Sequence, residues 1–153
     1  MTPAEKQTPV KTRDMLIGAL LRAPANAIQR RIIKQLNADG FDGLTMAHMP
    51  AIQFPGPDGF RPGTLAERAG MSKQAMNRIL GSLEELGYIV RSDSPHGGRA
   101  RIVRFTNRGH AAYAKIITIL RDIEREWSTE IGPKDFAQLK ELLFRVWESP
   151  LIQ

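Results

Sequence analysis

The sequence predicts a mainly α-helical protein with one small β-hairpin. Apolar residues recur at helical spacing along most of the 153 residues, which is the main sequence signal for amphipathic helices. Two β-rich runs, YIVR and RIVRF, stand on either side of the turn-forming stretch SDSPHGGRA, as in a hairpin with a broad tip. Hydrophobic residues make up 42% of the sequence, so a domain of this length can bury a sizeable core.

Composition excludes several classes of protein. The sequence has no cysteine, which removes disulfides, thiol nucleophiles and thiolate metal sites together. It has no run of about 18 apolar residues, so no membrane span is expected, and MTPAEKQTPVK lacks the apolar stretch of a signal peptide. His48, His96 and His110 show no metal-ligand spacing, and no catalytic set of residues is found. We therefore expect a cytoplasmic protein that is not an enzyme and needs no metal or cofactor.

The N-terminal part of the chain predicts a flexible lead followed by a long helix. Residues 1–11 form the lead, and residues 12–40 keep apolar residues at helical spacing up to Gly40, a common helix terminator. Pro24 is expected to interrupt or kink this helix, because proline lacks an amide proton and clashes with the preceding turn. After it, LTMAHMPAIQ predicts a short, distorted helix capped by Thr45, and FPGPDGFRPG predicts a loop.

Residues 41–106 predict a domain built around two short helices. TLAERAG predicts a compact helix ended by Gly70, and Ser72 is placed to cap a second helix, over residues 73–86, that ends at Gly87. Two short helices separated by a glycine-containing turn are the helix-turn-helix signature. Since the predicted hairpin follows directly, the fold expected here is a winged helix-turn-helix.

The outward face of the second helix carries hydrogen-bond donors and amides but no acid. The residues on or next to this face are Ser72, Lys73, Gln74, Asn77 and Arg78. A solvated face with no partner usually mixes Glu with Lys, whereas no acid occurs here before Glu84. Such a helix fits the major groove of DNA, where amides bond adenine edges and cations bond guanine or phosphates. The helix N-terminus, at Ser72, suits a phosphate oxygen.

The predicted hairpin adds positive charge to this domain. Residues 71–108 hold seven Lys or Arg against three Asp or Glu, while residues 109–153 hold six against seven. The hairpin arginines are Arg91, Arg99, Arg101 and Arg104. A Gly-Gly-Arg tip can enter the minor groove, and the other arginines would hold phosphates. Asp93 either orients one of these arginines or only caps the turn.

Residues 107–153 predict two amphipathic helices. The first has apolar residues spaced 3, 4, 3, 4, and the second has them at 3, 4, 3 after Pro133. These two stripes consist of Tyr113, Ile116, Leu120, Ile123 and Trp127, and of Phe136, Leu139, Leu143 and Val146. They either pack on the chain's own core or form a dimer interface. We favour the dimer, because the winged helix-turn-helix already has its own core. Residues 12–40 and 107–153 are therefore expected to be dimerisation helices.

The segment TLAERAGMSKQAMNRILGSLEELGYIVRSDSPHGGRARIVRFTNRGHAAY, residues 64–113, resembles the MarR family of bacterial transcriptional regulators. The likeness runs through the helix-turn-helix, the wing and the start of the long helix, and ERAGMSKQAM is especially similar to one subgroup. It implies an obligate homodimer, joined by its terminal helices, that binds a pseudo-palindromic operator in double-stranded DNA. It also implies release from DNA by a small aromatic or phenolic anion in many members.

The chain departs from the family pattern at two places. The family's wing usually has an Asp two residues before its arginine, where this chain has Gly97, so Arg99 loses a carboxylate that would brace it. Pro50 and the GPDG insertion fall close to where an effector would sit. Because of this insertion, no ligand-binding residues are transferred from the family.

The sequence thus predicts a sequence-specific DNA-binding transcriptional regulator, a homodimeric repressor released by a small-molecule effector. The alternative is a winged-helix module that binds a protein partner and no specific DNA. An acidic partner would meet the same basic face.

Overall fold

The computed structural model describes residues 14–53, 59–93 and 101–151. Within these ranges the elements are α1 (Ile17–Ala38), a 3-10 turn (Met46–His48), α2 (Met49–Ile52), α3 (Pro62–Arg68), α4 (Lys73–Glu85), β1 (Ile89–Asp93), β2 (Arg101–Phe105), α5 (Asn107–Ile131) and α6 (Pro133–Trp147). The predicted mainly helical fold with one β-hairpin is confirmed. The predicted lead, residues 1–11, and the hairpin tip with Gly97 and Arg99 lie outside the described residues.

The helix α1 continues through Pro24 and neither ends nor restarts there. Proline cannot donate to the carbonyl four residues earlier, but this part of the helix is exposed, so water can bond the free carbonyl. Further along, Ile32 and Leu36 are buried against the rest of the chain. The first half of α1 is therefore mostly in contact with solvent, whereas the second half packs against the rest of the chain.

Local signals fix the ends of the short helices as predicted. Thr45 caps the 3-10 turn that leads into α2, and Ser72 Oγ accepts a 3.1 Å hydrogen bond from the Ala75 amide at the start of α4. Gly70 and Gly87 follow α3 and α4 with φ of 62° and 79°, in the left-handed region that glycine enters without strain.

The hairpin pairs β1 with β2 in antiparallel register, with Arg91 opposite Val103 and Val90 opposite Arg104. A third segment joins the sheet, because the amide and carbonyl of Phe60 bond those of Val103 at 3.0 and 2.9 Å. The sequence predicts a loop at Phe60. A bridge of one residue leaves no alternating pattern, so this pairing depends on the fold and not on local sequence.

The core lies between α1, the helix-turn-helix, the hairpin and the first part of α5. Its largest fully buried side chains are Ile32, Leu36, Met49, Ile52, Leu65, Met76, Leu80, Leu83, Tyr88, Ile89, Ile116 and Ile119. Thr106 caps α5 by accepting a hydrogen bond from the Gly109 amide at 3.1 Å. α5 packs on α1 and on α6. None of the described helices is long and apolar enough to cross a membrane.

The apolar stripe of α5 is largely covered by the chain itself. Ile116 and Ile123 are only 1% and 4% exposed within one chain, so the chain itself leaves little of these two side chains for the predicted dimer interface. Leu120 and Trp127 pack against the same core, and Tyr113 stacks on Phe105 at 6.2 Å between ring centroids. The residues with heptad spacing do lie on one helix, α5, but α1 and the winged helix already cover much of this stripe.

The apolar stripe of α6 has the opposite character. α6 contains no buried residue. Phe136 is half-buried, whereas Leu139, Leu143 and Val146 are all exposed. Among the described residues, large apolar side chains are also exposed at the start of α1, where Leu16 is 82% exposed. Among the described residues, the two terminal helices and the residues just before α1 therefore carry most of the exposed large apolar side chains.

Candidate nucleic-acid interface

The helix α4 separates its apolar side from a polar outward face. Met76, Leu80 and Leu83 are buried in the core. The predicted contact residues Ser72, Lys73, Gln74, Asn77 and Arg78 are all exposed. The structure thus brings these five residues together on one accessible surface, which we call the reading face. It offers two amides, two cations and one hydroxyl.

The start of α4 is arranged to hold an anion next to the reading face. Ser72 has an extended backbone and its Oγ accepts from the Ala75 amide, which leaves its hydroxyl proton free to donate. The amide groups of the first turn point outward along the helix axis, and the helix dipole makes this end positive. Lys73 adds a full positive charge at the same end. A phosphate oxygen is a suitable partner for this surface.

On the hairpin, the predicted arginines have different surroundings. Arg104 is exposed and lies opposite Val90, which is itself 47% exposed. This face of the hairpin is therefore open to a partner. The register pairs Arg101 with Asp93 across the strands, and Arg99 lies outside the described residues.

The Arg91 side chain faces α4 and is only 17% exposed. Its Nη2 donates to the Asn77 carbonyl at 3.2 Å, and its backbone amide donates to Glu84 Oε1 at 3.2 Å. Its Nε lies 3.2 Å from Glu84 Oε2, an ion-pair distance, although the N–H is not aligned for a hydrogen bond. Among the predicted DNA-contact residues with described side chains, Arg91 is thus partly buried against α4, whereas the others are exposed.

Glu84 contacts Arg91 although its sequence position, as the first acid after the polar stretch of α4, predicts no role for it. Glu84 and Arg91 carry opposite charges on either side of the helix end at Gly87. This pairing of charges across a turn is the sequence pattern that could have indicated their contact.

A buried histidine supports α4 from the core side. His48 Nδ1 accepts from the Thr45 amide at 3.0 Å, and its Nε2 lies 3.0 Å from Ser82 Oγ on α4. The amide contact requires an unprotonated Nδ1, so the neutral imidazole with its proton on Nε2 fits this site. Burial lowers the pKa of His48 below its usual value, because a charged imidazolium would lose hydration here.

Arg108 is exposed, but its guanidinium makes contacts within the fold. Its guanidinium carbon lies 4.8 Å from the centre of the Tyr88 ring, and its Nη2 donates to the Tyr88 hydroxyl at 3.2 Å. That hydroxyl in turn donates to the Asp42 carbonyl at 3.0 Å. The positive charge counted over residues 71–108 is therefore divided between a surface for a partner and contacts that hold the domain together.

A small cavity of about 140 Å³ lies between α1 and α5. Its lining combines apolar side chains with one guanidinium and includes Ala27, Ile28, Arg31, Ile123 and Trp127. Arg31 forms a two-pronged ion pair with Glu126, with the Nη2 to Oε1 distance at 2.7 Å. In the described parts of the chain, no three His, Asp or Glu side chains come together as a metal site.

The sequence of this region matches a known family. Residues 42–100 match the model described as the MarR family. This range includes α2, α3, α4 and β1, and so contains the reading face and the Arg91–Glu84 pair. No curated protein matches the sequence of the chain.

Solved structures extend the likeness to most of the chain. The MarR family protein Rv2887 of Mycobacterium tuberculosis, in complex with salicylic acid, is 23% identical with a TM-score of 0.64, over 87% of this chain and 97% of that one. A structure of MarR is 21% identical with a TM-score of 0.75, over 91% and 100%. Streptococcus pneumoniae FabT, in complex with DNA, is 17% identical with a TM-score of 0.69, over 86% and 93%. At these identities the likeness is one of fold.

Proposed function

We propose that this chain binds a specific sequence in double-stranded DNA and regulates transcription there, on the support of the match of residues 42–100 to the MarR family model. Such a regulator acts by binding DNA and catalyses no reaction, so we expect no enzymatic activity of the chain. A role on chromosomal DNA agrees with the cytoplasmic location expected from the sequence.

The reading face of α4 carries this proposal. It is exposed, contains no acid and has amides at Gln74 and Asn77 that suit adenine edges. Lys73 and Arg78 suit guanine or phosphates, and Arg104 extends the positive surface onto the hairpin. Of the solved neighbours, FabT is one whose structure contains DNA.

The test is selection of a duplex from a randomised pool, followed by polarisation titration of the selected and a scrambled duplex. We expect tight binding to the selected duplex and binding about 10³-fold or more weaker to the scrambled one. Affinity should fall steeply with salt as counterions are released. If the two duplexes bind equally, or neither binds at low salt, the protein-interaction module becomes the better interpretation.

A homodimer is the second part of the proposal. The support is the apolar surface of the terminal helices: Leu139, Leu143 and Val146 are exposed on α6, and Trp147 is 70% exposed. Pairing two chains would cover this surface and place two reading faces about 34 Å apart, one turn of DNA. Light scattering after gel filtration at micromolar concentration should give twice the chain mass. A monomer at that concentration would refute the dimer.

We further propose that the protein represses transcription and that a small aromatic acid releases it. One solved neighbour is named the multiple antibiotic resistance repressor MarR, and another was solved with salicylic acid. In this chain, the cavity beside Arg31 and Trp127 is about the size that holds one benzene ring, and a carboxylate can compete with Glu126 for Arg31.

Two measurements test these proposals. A reporter gene behind the selected duplex should be silenced by the protein and restored by the effector, whereas an activator would raise expression. For the effector, fluorescence energy transfer from Trp127 to salicylate measures salicylate binding. The Trp147→Phe background leaves Trp127, which lines the cavity, as the single tryptophan donor. Absence of energy transfer and of any thermal shift at millimolar salicylate would exclude this site for aromatic acids.

A further inference from the structure

We propose that Arg91 is a positioning residue that holds the hairpin against α4, and that it does not contact DNA. The inference rests on the proposed function and assigns a role to Arg91 and Glu84 within it. It replaces the expectation that Arg91 holds a phosphate.

The first argument is the geometry of Arg91. One guanidinium nitrogen donates to the Asn77 carbonyl at 3.2 Å, and another lies at ion-pair distance from Glu84. A guanidinium suits such a double contact because its donors are fixed in a planar fork. With 17% of the side chain exposed, little of the charged group is left for a phosphate.

The second argument is the position of the residues that Arg91 holds. Asn77 contributes its side chain to the reading face and its carbonyl to Arg91, so one residue belongs to both surfaces. Glu84 lies one residue before the end of α4 and also accepts from the Arg91 backbone amide at 3.2 Å. The contacts thus span α4 from its reading part to its end. We call Arg91, Glu84 and the Asn77 carbonyl the clamp.

The clamp has a consequence for DNA binding. The helix and the hairpin must reach different parts of one duplex at the same time, and each loses less freedom on binding if they are already fixed to each other. Loss of the clamp should therefore weaken specific binding even though no contact with DNA is removed. A direct contact between Arg91 and a phosphate predicts different effects of substitutions at Glu84 and Arg91 on DNA affinity.

Glu84→Gln separates the two roles by the direction of its effect. In the clamp, Gln loses the ion pair with the guanidinium and offers the Arg91 backbone amide a neutral acceptor in place of a carboxylate. Binding to the selected duplex should therefore weaken about fivefold, the effect of losing one partly exposed ion pair. In the phosphate-contact role, the same change frees Arg91 and removes a negative charge near DNA, so binding should strengthen. The matched control is Glu85→Gln, which removes the same charge from an exposed neighbour in α4 and should not weaken binding.

Arg91→Lys supplies a second test. Lys keeps the charge but lacks the fork, so the clamp predicts about tenfold weaker binding with an unchanged dependence of log Kd on log salt concentration. A phosphate contact would largely survive this change. For Arg91→Gln the phosphate role predicts a salt slope lower by about 0.9, and the clamp predicts no change in slope.

Combining Arg91→Lys with Glu84→Gln should cost little more than either change alone, because both disrupt one contact. The proposal is overturned if Glu84→Gln binds the selected duplex as well as the unmodified protein or better, or if Arg91→Lys leaves binding unchanged. If the unmodified protein selects no duplex at all, the proposed function fails, and the clamp's role in DNA binding fails with it. We also expect backbone amides of β1 and β2 to exchange faster in Arg91→Lys and Glu84→Gln than in Glu85→Gln, because loss of the clamp loosens the hairpin.

Discussion

Replacing Gly109 by Ala should destabilise the protein at the junction between the hairpin and α5. A Cβ at this buried position would lie 2.0 Å from the Tyr88 carbonyl oxygen and 2.9 Å from Phe105 Cδ1. Ordinary contact begins at about 3.4 Å, so the two backbones must separate by more than about 1 Å. The Tyr88 carbonyl also accepts from the Thr106 amide at 3.1 Å, and this hydrogen bond would be strained or lost.

The magnitude follows from three contributions. Overpacking costs about 1–3 kcal/mol, and loss of the backbone hydrogen bond costs about 1 kcal/mol. The higher helix propensity of Ala returns about 1 kcal/mol. We therefore expect Gly109→Ala to lower the free energy of unfolding by about 2 kcal/mol, and Tm by about 4–8 °C for a chain of this length.

Gly81→Ala is the matched control. Gly81 also lies inside a helix, but a Cβ there would meet only Arg91 Nη2, at 3.6 Å. This variant should be more stable by about 0.5–1 kcal/mol because glycine is a poor helix former. Urea unfolding followed by circular dichroism at one fixed protein concentration measures both variants, since dimer stability depends on concentration. Gly109→Ala as stable as the unmodified protein would refute the steric reasoning.

Three further predictions concern pH, DNA recognition and assembly. Burial lowers the pKa of His48, so the unfolded chain binds a proton more readily. The stability that neutral His48 contributes should be complete above about pH 6.5 and decline as pH falls below it. Urea titrations at several pH values should show a smaller decline in His48→Gln, and an identical decline would exclude His48 as its source. Gln74→Ala should cost about 1–3 kcal/mol on the selected duplex only, whereas Arg104→Ala should weaken all duplexes alike and lower the salt slope by about 0.9. Equal losses on selected and scrambled DNA in both variants would contradict this division. Leu143→Asp should weaken the dimer by about 3 kcal/mol, roughly a hundredfold, while Gln138→Asp should not. Sedimentation equilibrium measures both, and an intact Leu143→Asp dimer would place the interface elsewhere.

The sequence by itself determined the elements of the fold and the residues of the reading face. Ser72 caps α4 as its residue type and position predicted, Thr106 caps α5, and the two β-rich runs pair as a hairpin. These features depend on neighbours within a few residues along the chain, because caps, turns and periodicity are local properties. The same periodicity placed the polar residues of α4 on its outward side.

Only the tertiary structure decided which surfaces the chain covers for itself. The stripes of α5 and α6 have the same kind of spacing, yet Ile116 is buried within one chain and Leu143 is exposed. Likewise Arg91 and Arg104 are both strand arginines, yet one faces α4 and the other faces outward. Periodicity gives the direction of a side chain from its own helix or strand, but what lies in that direction depends on how distant segments pack.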